Sequence, residues 1–171
     1  MQINLAAVAR ISRLVDLRDI RLIDLSASLH PGDFQLLEPD VQFECSAEHP
    51  VPSRIVTLCD YRFTVTSAGT TIAEVTARYV LLYELQEEIE ISQEDLQQFA
   101  HANGTYHSWP FLRQLLHDLT ARMGLPPFTL PVFKVLPREE KPSNEKGETA
   151  KKALPAASTK PKKKASAKKK A

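Results

Sequence analysis

Two runs rich in β-branched and aromatic residues, 54–66 and 71–84, stand on either side of Ser67-Ala68-Gly69-Thr70. Such side chains favour strands, and a link this short makes neighbours in sequence neighbours in space. The pair therefore reads as one long antiparallel hairpin, and any fold for this chain has to be built around it. Upstream, Ile20, Leu22, Asp24, Ser26 and Ser28 alternate with the more apolar set Arg21, Ile23, Leu25, Ala27 and Leu29, up to the turn signal His30-Pro31-Gly32-Asp33. Val41, Phe43 and Cys45 alternate with Asp40, Gln42 and Glu44 before a second breaker, His49-Pro50-Val51-Pro52-Ser53. Four strands joined by short links make an antiparallel meander the simplest sheet.

The period then changes from two to that of a helix. Ser92-Gln93-Glu94-Asp95 has the form of a capping box with Asp in the usual Glu place, and Leu96, Phe99 and Ala100 follow. Asn103-Gly104 predicts a stop, with Ser108 capping a second helix and Pro110 in its first turn. Trp109, Leu112, Leu116, Leu119 and Met123 then form an apolar stripe that ends at Gly124 and Pro126-Pro127. For 128–136 both a short helix and an extended segment are open. At the other end Leu5, Val8, Ile11 and Val15 suggest a short amphipathic helix within residues 1–16.

The expected fold class is α+β: a four-stranded antiparallel sheet with helices packed on one face. Charge divides the chain. Pro137–Ala171 holds twelve basic and four acidic residues, a net +8, and Met1–Leu136 holds ten and seventeen, a net −7. The expected domain is 1–136. Residues 137–171, dominated by Lys, Ala, Pro, Ser and Glu without one aromatic, are expected to form a disordered basic tail.

No run approaches the roughly 18–20 apolar residues of a membrane helix, so membrane insertion is not expected. The first ten residues have no signal-peptide pattern, and the expected location is cytoplasmic. Cys45 and Cys59 make no disulfide framework; each sits in a strand pattern and reads as a small buried hydrophobe.

Chemistry is sparse. His101, His107 and His117 lack ligand spacing, so no metal is expected. There is no GxGxxG, no GxxxxGK[ST] and no GxSxG, and the run Glu84, Glu87, Glu88, Glu90 reads as a solvated face. No catalytic residue, enzyme activity or cofactor is expected. The clusters Lys162-Lys163-Lys164 and Lys168-Lys169-Lys170 could attract nucleic acid without reading sequence, although solubilising the acidic body accounts for them as well.

A resemblance sharpens this. Asn103-Gly-Thr-Tyr-His-Ser-Trp-Pro-Phe-Leu-Arg113, followed by Leu119-Thr-Ala-Arg-Met-Gly-Leu-Pro-Pro-Phe-Thr-Leu-Pro131, resembles the SecB family of export chaperones, and most of all its divergent SecB-like branch. Tyr-Val-Leu-Leu-Tyr-Glu-Leu-Gln at 79–86 is similar to that family's fourth strand, and Phe34-Gln35 with Pro39-Asp-Val-Gln-Phe43 to its crossover region. The likeness spans roughly residues 17–133.

The resemblance implies an ATP-independent holdase, a homotetramer built as a dimer of dimers, which keeps unfolded preproteins competent for export and passes them to the SecA translocase. Some members of the branch instead protect an antitoxin of a toxin–antitoxin system. By the match, the groove candidates for clients are Phe34, Leu36, Leu37, Val41 and Phe43, then Tyr106 and Phe128; plain core packing is the competing role for each. The SecA-type surface maps onto Asp24, Leu82 and Glu84, and Ser28 stands where a further acidic residue would be expected.

Overall fold

The computed structural model describes residues 5–32 and 36–133. Its centre is the expected hairpin: β3 (Arg54–Ser67) and β4 (Thr70–Leu85) pair in antiparallel register, Ser67 opposite Thr70. The two loop residues, Ala68 and Gly69, have φ values of 49° and 79°. Positive φ at both central positions belongs to the turn whose twist suits a β-hairpin.

β2 (Glu38–Val51) pairs with β3, but β1 (Val15–Leu29) pairs with β4, so the sheet order is β1-β4-β3-β2. The expected meander is therefore wrong at its first strand. Three consecutive strands use up one another's edges and leave the far edge of β4 open, and β1 fills it over almost the full length of β4. β1 and β2 therefore lie at opposite edges of the sheet. β1 also begins at Val15, inside the expected helix, so α1 is only Leu5–Ser12. Irregularities at Leu17/Asp19 and Leu22/Asp24 reset the alternation, so that Leu17, Ile20, Leu22 and Leu25 share the face of β4 that carries Tyr83, Leu81, Tyr79 and Ala77.

That face of β2, β3 and β4 is the core. Its residues in β3 and β4, from Ile55 to Val65 and from Ala73 to Leu85, are buried at every second position. The helices lie over it. Ser92 caps α2 (Gln93–Phe99) as the capping box predicts, its hydroxyl accepting from the Asp95 amide at 3.1 Å. Asn103-Gly104 does not stop the helix. α2 runs into a π-helical turn, Ala100–Gly104, and on into α3 (Thr105–Arg122). Gly104 has helical φ and serves packing instead: a Cβ there would stand 2.7 Å from Thr57 Cγ2 and 2.9 Å from Cys59 Sγ. Ser108 is consequently inside α3, and not its cap, with its hydroxyl donated back to the Gly104 carbonyl at 2.6 Å.

Cys45 and Cys59 are buried, as the strand pattern predicts, but they are also joined in a disulfide. Fourteen residues separate them in sequence, and the β2–β3 register sets them directly opposite each other on the core face. That register is not visible in composition or spacing, which is why the pairing was missed. The lysine-rich residues 137–171 lie outside the described residues.

A candidate binding groove and the opposite sheet face

β2 is an edge strand, and α3 crosses the sheet beside it. After Met123 the chain reverses at Gly124, φ 77°, and the Leu125 amide returns to the Thr120 carbonyl at 2.9 Å. Residues 125–133 then run back without regular structure, which settles the open choice at 128–136 for its described part. The Phe128 amide donates to Thr120 Oγ1 at 2.9 Å, and the Trp109 indole donates to the Pro131 carbonyl at 2.7 Å. Leu125 and Leu130 are buried against the core.

Two apolar clusters lie along this path. At one end a cavity of about 210 Å³ is lined by Leu37, Pro39, Phe63, Val65, Leu125 and Phe128, with the Phe128 ring stacked on Phe63 at 4.9 Å between centroids. At the other, Phe43 stacks on His101 at 5.5 Å and meets Tyr61, Trp109 and Phe133 within 6.5 Å. Among these rings Tyr61, Phe63 and Trp109 are buried, and Phe43, Phe128 and Phe133 are half-buried over them.

The expected groove residues separate on this geometry. Leu37, Val41, Phe43 and Phe128 are half-buried and pack against the core along β2 and the returning segment. Leu36 is 76 % exposed beside them. Tyr106, 56 % exposed, has its ring against His107 and not within the Phe43 cluster. Phe34 lies outside the described residues. Sequence reasoning missed Phe63, Trp109 and Phe133 as neighbours of these residues. Trp109 had been read only as part of the apolar stripe, and its indole N–H, which needs a partner when buried, was the available signal.

Two tyrosines anchor the helices over the sheet. Tyr61 shares a 2.6 Å bond with Ser108, and Tyr83 one of 3.0 Å with His107 Nδ1. Burial pushes the Tyr61 and Tyr79 hydroxyls up to about 12, and raises Tyr83 too. Burial also lowers His107, against a backbone contact to Asn103 that raises it. Among the described residues, no three His, Cys, Asp or Glu side chains come together as metal ligands, and no helix is long and apolar enough to cross a membrane.

Asp24, Leu82 and Glu84 all fall on the opposite, helix-free face of the sheet. Leu82 sits in a half-buried patch with Val56, Leu58 and Val80. Both carboxylates stand beside arginines. Arg18 donates to Glu84 at 2.6 Å, and Asp24 lies across from Arg78, which also bonds Asp60. Arg62 pairs with Glu74 at 2.8 Å nearby. The face is therefore a lattice of paired charges and not an acidic surface.

No family model matches the chain. It is 29 % identical over 146 residues to the SecB-like chaperone MT2006 and, equally, to the SecB-like chaperone Rv1957, from two strains of Mycobacterium tuberculosis; each alignment covers 73 % of this chain and 81 % of the relative. The solved structure of the Mycobacterium tuberculosis Rv1957 SecB-like chaperone, in complex with a ChAD peptide from the Rv1956 HigA1 antitoxin, superposes with a TM-score of 0.68 at 27 % identity, covering 75 % of this chain and 97 % of that one. The four-stranded antiparallel sheet with its helices matches the SecB-like structure, and both comparisons support a likeness of this chain to divergent SecB-like chaperones.

Proposed function

We propose that the protein is an ATP-independent holdase that takes extended apolar segments of non-native proteins into the groove between β2 and α3. The observation that carries this reading is the pair of apolar and aromatic clusters along β2 and the returning segment, one of Leu37, Phe63 and Phe128 and the other of Phe43, Trp109 and Phe133. A lining of rings and aliphatics accepts many sequences, because burial is non-directional and no charged partner is demanded.

Between the two client classes, an antitoxin is favoured over preproteins bound for SecA. A structural relative holds an antitoxin peptide. The residues matched to a SecA-type surface, Asp24 and Glu84, are balanced by Arg78 and Arg18, which weakens the case for an acidic docking patch. We further propose a cytoplasmic homotetramer, a dimer of dimers. Leu17, Leu22, Leu25 and Leu29 of β1 are 37–45 % exposed on the helix-bearing side of the sheet, and Tyr106 and Phe111 are exposed on α3. Association with nucleic acid through residues 137–171 is the competing reading.

The test uses purified full-length protein without nucleotide. Arrest of refolding of a chemically unfolded model protein, at about one tetramer per client, supports the holdase. Capture of an antitoxin's aggregation-prone C-terminal peptide, with no co-sedimentation of SecA, supports the first client class. Unimpeded refolding refutes both, and binding of DNA that is lost on deleting 137–171 favours the competing reading.

A further inference from the structure

We infer that Cys45 and Cys59 form a reversible thiol–disulfide switch: joined, they hold β2 and the Phe43 ring against the π-helical turn, and as two thiols they release them to take a client. The inference rests on the holdase reading above and adds to it a regulator of client affinity.

These are the chain's only two cysteines, and the β2–β3 register sets them opposite each other on the core face. They lie directly beneath the π-helical turn. A Cβ on Gly104 would stand 2.9 Å from Cys59 Sγ and 3.7 Å from Cys45 Sγ. Cys45 Sγ is also 3.3 Å from Thr105 Oγ1. Two bonded sulfurs stand about 2.05 Å apart, whereas two thiols need about 3.5 Å or more. Gly104 and Thr105 close the space above the sulfurs, so the extra distance is made by shifting the turn or β2.

β2 is the element freer to move, because its only partner in the sheet is β3. Cys45 is two residues from Phe43 on the same face of that strand. The half-buried Phe43 ring stacks on His101, which belongs to the turn that covers the sulfurs. The disulfide and the Phe43 ring are thus two fastenings between one edge strand and one turn. Opening the first loosens the second.

The chemistry is exchange with a low-molecular-weight thiol such as glutathione. Two glutathione thiols are oxidised to one glutathione disulfide, passing through a mixed disulfide. Their two electrons and two protons convert the Cys45–Cys59 bond into two thiols. In the cytoplasm, the location proposed above, a disulfide is characteristically transient or redox-sensing and not a permanent staple.

The experiment holds the full-length protein in glutathione redox buffers. It measures binding of fluorescently labelled, reduced and carboxymethylated lactalbumin, a probe whose thiols are blocked. The reduced protein is expected to bind the probe about fivefold more tightly than the oxidised protein. Linkage requires the reciprocal effect. Saturating probe should lower, by about the same fivefold, the ratio of squared thiol to disulfide concentration at the midpoint of reduction, read by mass after alkylation. A disulfide that only stabilises the fold would move neither readout. Cys45→Ala with Cys59→Ala should bind as the reduced protein does and ignore the buffer; the titration of the unsubstituted protein stands without that variant. Equal affinity in the two redox states, or tighter binding by the oxidised protein, overturns the switch and leaves the holdase standing. No probe binding in either state overturns the holdase reading and the switch with it.

Discussion

Tyr61 of β3 donates its hydroxyl to Ser108 of α3, because Ser108 spends its own proton on the Gly104 carbonyl; both contacts are 2.6 Å long. The order of donors is thus fixed by counting protons: each hydroxyl has one. A sheet strand is tied in this way to the first α-turn after the π-helical turn. Tyr61→Phe removes the end of the chain and leaves Ser108 bonded to Gly104. A loss of about 1 kcal/mol in urea unfolding is expected, with an unchanged fold. A loss within 0.3 kcal/mol would show that the Tyr61 hydroxyl contributes nothing net.

Ala68 occupies a left-handed position, φ 49°, beside Gly69 in the β3–β4 turn. An alanine there carries a steric cost that asparagine largely avoids. Ala68→Asn is expected to raise stability by roughly 0.5–1 kcal/mol, read from the denaturant midpoint. Ala68→Val should lower it, since a β-branched residue fits this region worst.

His107 gives a pH dependence. Desolvation holds its folded-state value below the usual imidazole value, partly opposed by the Asn103 contact. Above pH about 6.5 the ring is neutral in both states and pH has no effect through it. As pH falls below that, the unfolded chain takes up the proton first, so stability declines until pH passes the lowered folded value, where the loss is complete. Urea midpoints between pH 7.5 and 5 should follow this course, with a smaller decline in His107→Gln.

Assembly is expected to depend on the apolar row of β1. Leu22 and Leu25 are 40 % and 42 % exposed within one protomer. Sedimentation should find a tetramer, and Leu22→Lys with Leu25→Lys should raise its dissociation constant by at least about tenfold per side chain, the scale of one lost apolar contact. Retention of the tetramer by the double variant would place the interface elsewhere.

How much of this was legible depends on the range of the interaction. The β3–β4 hairpin, the Ser92 cap and the α3 stripe are local patterns, and each was read correctly from neighbouring residues. The partner of β1 lies far away in sequence, and the pairing of Cys45 with Cys59 depends on the register of the β2–β3 hairpin; composition carries neither. Asn103-Gly104 misled because glycine can be selected for close approach as well as for a turn, and only the atoms beneath it, Thr57 and Cys59, tell which. At the candidate groove, Leu37 and Phe128 were named separately and the fold brings them to one cavity. Phe133, which closes the other end, lay in the stretch whose conformation periodicity left open.

The π-helical turn at Ala100–Gly104 acts as a phase shifter between two helices that follow each other without a break. Each residue of an α-helix advances the side chains by about 100°. Deleting one residue here would therefore turn α3 by about that angle relative to α2, carrying Trp109, Leu112 and Leu116 off the sheet while Leu96 and Phe99 stayed on it. Elsewhere a surface helix can often absorb a deletion by fraying at an end. Here the two ends are both committed to the same sheet, so packing fixes the length of this one turn as firmly as it fixes Gly104 within it.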